Sequence, residues 1–586
     1  MSPEGGFPLA ANAFAALGNA PRPKPVDIFV HGTRLLAAVE GALRIAIAGS
    51  ATTDLIARAA AVGAAQEGLA PVIMQSPFGA WRQEALDPGS SLHRFAPDVV
   101  LLATDWRDAV TDLQPDAGPE EAAAAVAAQV RMYRMVWDRL RAGAPSRRIF
   151  QHLPALPPAR LTDIAEWRLP GSPRAQIAAF RSALLEAGPD IVFLDTEGLA
   201  QNAAAWFGAK LPFAQDQLPD YVARFRAALR QATGRGKKVL VLDLDNSLWG
   251  GVIGDDGVDG LALGPGSPQG EAFEAFQAYA KALAARGVIL AVCSKNDRAI
   301  AETGFSHAAS RLALADFAAF ECGWTDKVFG LRRIAQTLNL GLDAMVFADD
   351  NPAECALVRA ELPEVAVVEL GADPAEFVAR LEEGYWFAAQ GFSAEDFTRN
   401  QAYQARAQAA QAREEAVDLD GFLRGLDMQG RVFRADAAAI PRIAQLEGKT
   451  NQFNLTARRY DEAAIAAFAA REDALVLAAT LKDRFGDHGL VASLVAMVEG
   501  DALVIGSWLM SCRVFSRTLE HFMLRALCRE AQLRGLTWLR GEYIPTPKNA
   551  VVADLFPRLG FTLAADGRFW ACDVAAVDAV SFIAEI

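Results

Sequence analysis

Two carboxylates close an apolar run in Lys238-Val-Leu-Val-Leu-Asp-Leu-Asp-Asn-Ser-Leu-Trp-Gly-Gly251. Such a run reads as a buried strand, and ligands of open α/β sheets sit at the carboxyl ends of strands. A carboxylate there can attack phosphorus, and a second one two residues later can protonate the leaving group and then activate water. Alternation along a strand would turn both toward one face, with Asp243 as nucleophile and Asp245 as acid and base.

Attack by an anion on a phosphoryl group needs its charge repulsion cancelled, and the next 110 residues or so supply the parts in order. Ser294 ends a strand at Cys293 and can donate to a phosphoryl oxygen. Lys327 can supply a fixed positive charge, and Asp349-Asp350-Asn351 closes the strand Met345–Ala348 with carboxylates for a hard cation. Magnesium suits such a set, being held by one or two carboxylates plus substrate oxygens. The expected metal group is Asp243, Asp245, Asp350 and Asp349, with Asp350 the favoured motif ligand; Asn246, Ser247 and Asn296 are placed to contact substrate. Cys293, beside Ser294, is the nearest thiol. The segments between these motifs each hold one helix and little more, so no large cap domain covers the site.

Three units must position these residues. In residues 1–232, apolar runs at Arg44–Ser50, Ala70–Met74, Pro97–Leu102, Arg148–Phe150 and Pro189–Leu194 alternate with helical patterns and predict a parallel α/β sheet. The glycine-containing, charged stretch Gln231–Lys238 breaks the pattern, and residues 233–390 form the phosphoryl-transfer unit with strands Val239–Leu244, Val288–Cys293 and Ala344–Ala348. Residues 391–586 begin with a polar linker helix over Asn400–Glu415. Three apolar runs between Ala474 and Met510 then read as an antiparallel meander, followed by a helix over Thr518–Arg534 and a last strand pair flanking Asn549–Phe561.

Composition sets the bounds. At 586 residues and 52% hydrophobic, the chain can bury several cores. Its net charge of −14 argues against binding nucleic acid. No apolar stretch is long enough to cross a bilayer and Met1–Pro21 does not read as a signal peptide, so no membrane insertion and a cytoplasmic location are expected. Six scattered cysteines give neither zinc nor disulfide spacing.

The four motifs resemble those of the haloacid dehalogenase-like superfamily, which implies a Rossmann-like fold without a large cap and a phosphoaspartyl intermediate on Asp243. Longer strings are more specific. Asp243-Leu-Asp-Asn-Ser-Leu-Trp-Gly-Gly-Val-Ile-Gly254, Cys293-Ser-Lys-Asn296, Trp324-Thr-Asp-Lys327, Asp349-Asp-Asn-Pro352, Lys449-Thr-Asn-Gln-Phe-Asn-Leu455 and Asp483-Arg-Phe-Gly-Asp-His-Gly489 look like the FkbH-like proteins of subfamily IIIC. That resemblance implies removal of phosphate from 1,3-bisphosphoglycerate, a glyceryl thioester on the enzyme, for which Cys293 or Cys512 is the candidate thiol, and transfer to an acyl carrier protein.

The last unit resembles the Gcn5-related acyltransferase fold, an α+β arrangement that binds coenzyme A pyrophosphate at a helix N-terminus. The matching stretch here, Arg513-Val-Phe-Ser-Arg-Thr518, has side chains at both glycine positions, so a carrier's pantetheine arm is the better expectation, with Arg513 as a contact. Arg458, Arg459, Arg484, Arg517 and Lys548 could form a local basic surface for an acidic carrier. His488 and His521 could assist acyl transfer or hold structure. The first unit loosely resembles SGNH-type hydrolases, with Ser50 in the nucleophile's place. No late histidine base follows it, so a degenerate, binding or structural role is the better reading.

Overall fold

The computed structural model describes Leu17 and residues 22–586, except 115, 143, 145–146, 159–163, 200, 393–396, 398, 401–402, 404, 406–418, 451–452, 457, 485, 512–513, 516, 547–548, 566 and 578. The chain is a mixed α/β protein with two parallel sheets and one mixed sheet. Most of the predicted linker helix lies outside the described residues.

The first sheet has the order β2-β1-β3-β4-β5, with β1 Leu43–Gly49, β2 Pro71–Gln75, β3 Val99–Ala103, β4 Arg148–Leu153 and β5 Val192–Asp195. All its pairings are parallel, as the alternation of strand and helix patterns predicts. Alternate residues feed two cores: Ile45 and Ile47 pack on one face, Ala46 and Ala48 on the other.

The second sheet, β10-β9-β6-β7-β8, is also wholly parallel. Its strands are β6 Val239–Leu242, β7 Ile289–Ser294, β8 Phe317–Cys322, β9 Met345–Asp349 and β10 Ala366–Glu369. Near-continuous apolar runs in β6, β7 and β9 reflect burial on both faces. Leu240 and Leu242 join one core, Val239 and Val241 the other.

The third sheet runs β16-β17-β15-β14-β13-β12-β11-β18. Its centre is the predicted meander, β12 Ala474–Asp483, β13 Gly486–Glu499 and β14 Ala502–Met510. Strand β11 is Gln429–Arg434, β15 Trp538–Glu542, β16 Thr562–Leu563, β17 Phe569–Asp573 and β18 Ala584–Glu585. The helix Leu519–Leu533 carries β14 into β15, which therefore pair in parallel.

Polar contacts tie the first sheet's unit to the second. Arg226 and Arg230, both on the helix Leu218–Thr233, share Glu67, and Arg230 also donates to the carbonyl of Gly384 at 2.7 Å. The Gln390 carboxamide accepts from Phe193 N at 2.8 Å and donates to Phe193 O at 3.0 Å, so it lies along the free edge of β5.

Candidate functional site

The site follows from strand register. Leu242 is level with Ala348 on β9 and with Val292 on β7, so the next residue, Asp243, comes level with Asp349 and Cys293 at the carboxyl edge. Lys327 arrives from a helix. Asp326 caps Lys327–Leu338 by accepting from Phe329 N at 2.7 Å, which fixes Lys327 at the first helical position.

From there the ammonium reaches into the sheet edge. Its Nζ lies 2.6 Å from Asp243 Oδ1, 2.7 Å from the Cys293 carbonyl oxygen and 3.1 Å from Asp349 Oδ2. The side chain is only 3% exposed. Burial by itself lowers an ammonium's pKa, but Asp243 and Asp349 outweigh it and the net shift is upward, so Lys327 is a fixed cation.

Oxygens of Asp243, Asp349 and Asp350 all lie within 4.8 Å of one another. Burial, reinforced by the Asp243 charge, pushes the Asp349 carboxyl up to about 6; the same two causes raise Asp350. Asp349 Oδ1 accepts from Asn351 N at 2.8 Å, whereas its buried Oδ2, although near Lys327, accepts no well-formed hydrogen bond. Three carboxylates against one ammonium leave two formal negative charges in excess. A divalent, oxygen-seeking cation fits that donor set and would relieve the crowding.

Asp245 stands apart from this cluster. Its Oδ1 accepts from Trp249 Nε1 at 2.9 Å and from Ile253 N at 3.1 Å, and its Oδ2 accepts from Asn296 Nδ2 at 2.8 Å. Expected among the metal residues, Asp245 has its carboxylate held by three donors outside the three-carboxylate group. The physical reason is that β6 ends at Leu242, so strand alternation no longer governs Asp243 and Asp245, and Asn246 turns with φ 53°.

The other expected contacts fall around the same edge. Ser294 is 5% exposed, and its Oγ lies 3.3 Å from Asn296 Nδ2. Ser247 donates to Asp350 Oδ1 at 3.2 Å. Asn246 is exposed, and its side-chain oxygen accepts from Gly251 N at 3.0 Å, which shapes the loop.

Cys293 does not fit the role of an acyl-bearing thiol. Adjacent strand residues face opposite ways, so Ser294 at the site edge sends Cys293 into the core against the helix Lys327–Leu338. A Cβ on Gly330 of that helix would meet the Cys293 sulfur at 2.5 Å. Burial pushes the thiol up to about 12, against the pull of Lys327. The sequence reading passed over Cys322, which is level with Ser294 and half-buried; burial raises it, too, to about 12. Cys512 and Arg513 lie outside the described residues.

In the third sheet, β14 and β15 pair only from Ala502↔Trp538 to Ile505↔Gly541 and then part. The gap between them is taken by the chain's own residues 453–456. Asn454 bridges Leu509, Met510 N donates to Phe453 O at 3.3 Å, Ile544 N to Leu455 O at 2.8 Å and Thr456 Oγ1 to Gly506 O at 3.1 Å. Asn549, 1% exposed, fastens the segment by donating to Asn454 O at 2.9 Å. Among the described residues, these stretches of the two strand edges are thus paired within the chain.

The candidate basic surface is likewise engaged within the chain. Arg458 pairs with Glu542 at 2.9 Å, and Arg517 is buried against Asp483 at 2.9 Å with His488 Nε2 3.0 Å from the same oxygen. Arg459 and Arg484 donate to the Gly448 and Gly425 carbonyls, and Lys548 lies outside the described residues. His521 is 4.0 Å from Glu520.

In the first unit, Ser50 Oγ donates to Asp108, whose other oxygen accepts from Trp81 Nε1 at 3.1 Å. His152, at the end of β4, bonds Tyr221 at 2.7 Å, and burial lowers it to about 4. The serine's partner is a carboxylate, not an imidazole base.

Among the described residues no helix is long and apolar enough to cross a membrane. No protein-family profile matches the chain, and no curated protein is similar to it in sequence. Two domains in solved structures overlap the chain over a quarter of its length. They are the ribosomal-protein-S18-alanine N-acetyltransferase of Escherichia coli (19% identity, 25% of this chain and 94% of that one, TM-score 0.20) and the GNAT domain of S. lividans PAT (17%, 25% and 90%, 0.21). The chain is also similar to the N-terminal part of the protein BF1531 from Bacteroides fragilis, at 26% identity over 60% of this chain and 95% of that one, with a TM-score of 0.55. That structure contains a phosphatase domain complexed with Mg.

Proposed function

We propose that this chain is a magnesium-dependent phosphoryl-transfer enzyme of the haloacid dehalogenase type, with Asp243 as nucleophile. The observation that carries this is the buried Lys327 ammonium bridging Asp243 and Asp349 beside Asp350. Likeness to a phosphatase domain complexed with Mg supports it. Asp243, Asp349 and Asp350 would hold Mg2+, which supplies charge neutralisation at the transferring phosphoryl oxygens.

In this reading a carboxylate oxygen of Asp243 bonds to phosphorus as the bond to the leaving oxygen breaks, and that oxygen takes a proton from Asp245. The clamp of Trp249, Ile253 N and Asn296 fixes where Asp245 stands. Water then gives its proton to Asp245 and attacks the phosphoaspartate, freeing phosphate and restoring Asp243. Lys327 holds Asp243 in place and offsets its charge, and Ser294 donates to a phosphoryl oxygen.

The finer reading rests on resemblance to FkbH-like proteins: phosphate removal from 1,3-bisphosphoglycerate serves the loading of a glyceryl unit onto an acyl carrier protein. The test is incubation with Mg2+, 1,3-bisphosphoglycerate and a holo carrier, followed by mass measurement of the carrier. A glyceryl adduct that Asp243→Asn abolishes is the expected result. The burial of Cys293 favours a second reading, a plain phosphatase for a metabolite phosphate, which predicts Asp243-dependent phosphate release with no adduct on any carrier. Phosphate release that persists in Asp243→Asn removes both.

A further inference from the structure

One side chain on the loop between β8 and Lys327 has no role in the chemistry above. Trp324 is 80% exposed, about twice the exposure of Trp167 (42%) and Trp538 (38%), the other tryptophans among the exposed large hydrophobic residues. Among the described residues no hydrogen bond, ring or cation contact holds its indole. Its backbone, by contrast, is firmly placed. Gly323 N donates to the Ser294 carbonyl at 3.2 Å on one side, and on the other Asp326 caps the helix that begins at Lys327. The loop 323–326 thus runs from the backbone of Ser294, the proposed phosphoryl-oxygen donor, to Lys327, which holds the proposed nucleophile, and presents an indole to solvent between them.

Exposed apolar residues occur on other segments that lead into the site. Val252, 38% exposed, directly precedes the Ile253 amide that holds Asp245, and Ile300, 43% exposed, follows the Asn296 segment. Among the described residues the segments between the motif-bearing strands form no separate cap domain, so the rim is the part that can offer a wall for the organic part of a substrate. An indole is well suited, because it stacks on planar groups and on C–H faces with little loss of its own freedom.

We propose that Trp324 is a substrate-positioning residue that packs on the carbon skeleton of the phosphorylated substrate. Compounds whose organic part offers a ring or an extended C–H face, the glyceryl chain of 1,3-bisphosphoglycerate included, are therefore preferred over acetyl phosphate, whose organic part is a single acetyl group. This rests on the phosphoryl-transfer reading, and it names the part of the substrate which that reading leaves open.

The experiment uses the full chain with Mg2+ and compares wild type, Trp324→Ala and Trp324→Phe. The readouts are KM and kcat for p-nitrophenyl phosphate and for acetyl phosphate, and Ki for inorganic phosphate. Loss of a stacking face is worth about tenfold in affinity. The expected result is a KM for p-nitrophenyl phosphate raised about tenfold in Trp324→Ala and restored to within about threefold in Trp324→Phe. The effects on acetyl phosphate and inorganic phosphate are to be at least about fivefold smaller. Equal effects on all three compounds, or none on p-nitrophenyl phosphate, overturn the proposal and leave the phosphoryl-transfer reading standing. If wild type turns over neither substrate, that reading fails. Equilibrium dialysis of p-nitrophenyl phosphate then decides the role of Trp324, with equal binding by wild type and Trp324→Ala overturning it.

Discussion

Replacing Lys327 by Met keeps most of the stem and removes the cation that two buried carboxylates share. Asp243 is 9% exposed and Asp349 fully buried, so neither can regain its loss from water. The Cys293 carbonyl also loses its 2.7 Å donor. Breaking a buried ion pair from one side costs ~3–5 kcal/mol. An orphaned carbonyl by itself costs ~1–3 kcal/mol, and within one network the two do not add fully. Proton uptake limits the total: Asp349 is already raised to about 6, and without Lys327 it rises further and becomes neutral. The expected loss in urea unfolding, with a chelator present, is therefore about 3–5 kcal/mol near pH 8 and smaller near pH 5.5. The sign follows from linkage, since the native variant keeps a proton that the unfolded chain releases, so stability falls as pH rises. Adding Asp349→Asn to Lys327→Met supplies a neutral side chain that needs no proton uptake and should make the double variant more stable than the single one near pH 8. A single-variant loss under about 1 kcal/mol, or a double variant less stable than Lys327→Met, refutes the reasoning.

Glu447 is fully buried, and burial pushes its carboxyl up to about 7 against the hydrogen bond from Ser507. Stability should decline between about pH 4.5 and 7, and Glu447→Gln should flatten that decline in denaturation curves. Gly330→Ala would bring a Cβ to 2.5 Å from the Cys293 sulfur, so a loss of ~1–3 kcal/mol is expected. Cys293→Ala on the same background should recover most of it. Asn549→Ala strips the donor that fastens residues 453–456, which should cost ~1–3 kcal/mol and raise amide exchange at Leu455 and Ile544.

How much of this was legible in the sequence depended on whether local order or long-range pairing decided the outcome. The apolar runs of β6, β7 and β9 stand out because burial on both faces leaves no polar residue inside them, and that places the four motifs at one sheet edge. Strand β8 was missed. It is an edge strand that carries Glu321, so its apolar run is broken where those of β6, β7 and β9 are not. The inward turn of Cys293 follows from period two once Ser294 stands at the edge. The fate of Asp245 was not readable, because β6 stops before either aspartate and the donors Trp249, Ile253 and Asn296 come from a loop and another strand's end. Nor was the filling of the gap between β14 and β15, since pairing of residues 453–456 with Leu509 and Ile544 depends on tertiary register alone.

The Gln390 carboxamide imitates one residue of a sixth strand against β5. A bare terminal strand offers a template on which a second chain can extend the sheet, and occupying even one donor and acceptor pair interrupts that ladder. The blocking group comes from the far end of the second unit, almost two hundred positions along the chain from Phe193. A fragment that ends near residue 232 would therefore expose β5 and gain a route to stacking edge to edge, whereas the longer chain carries its own stopper.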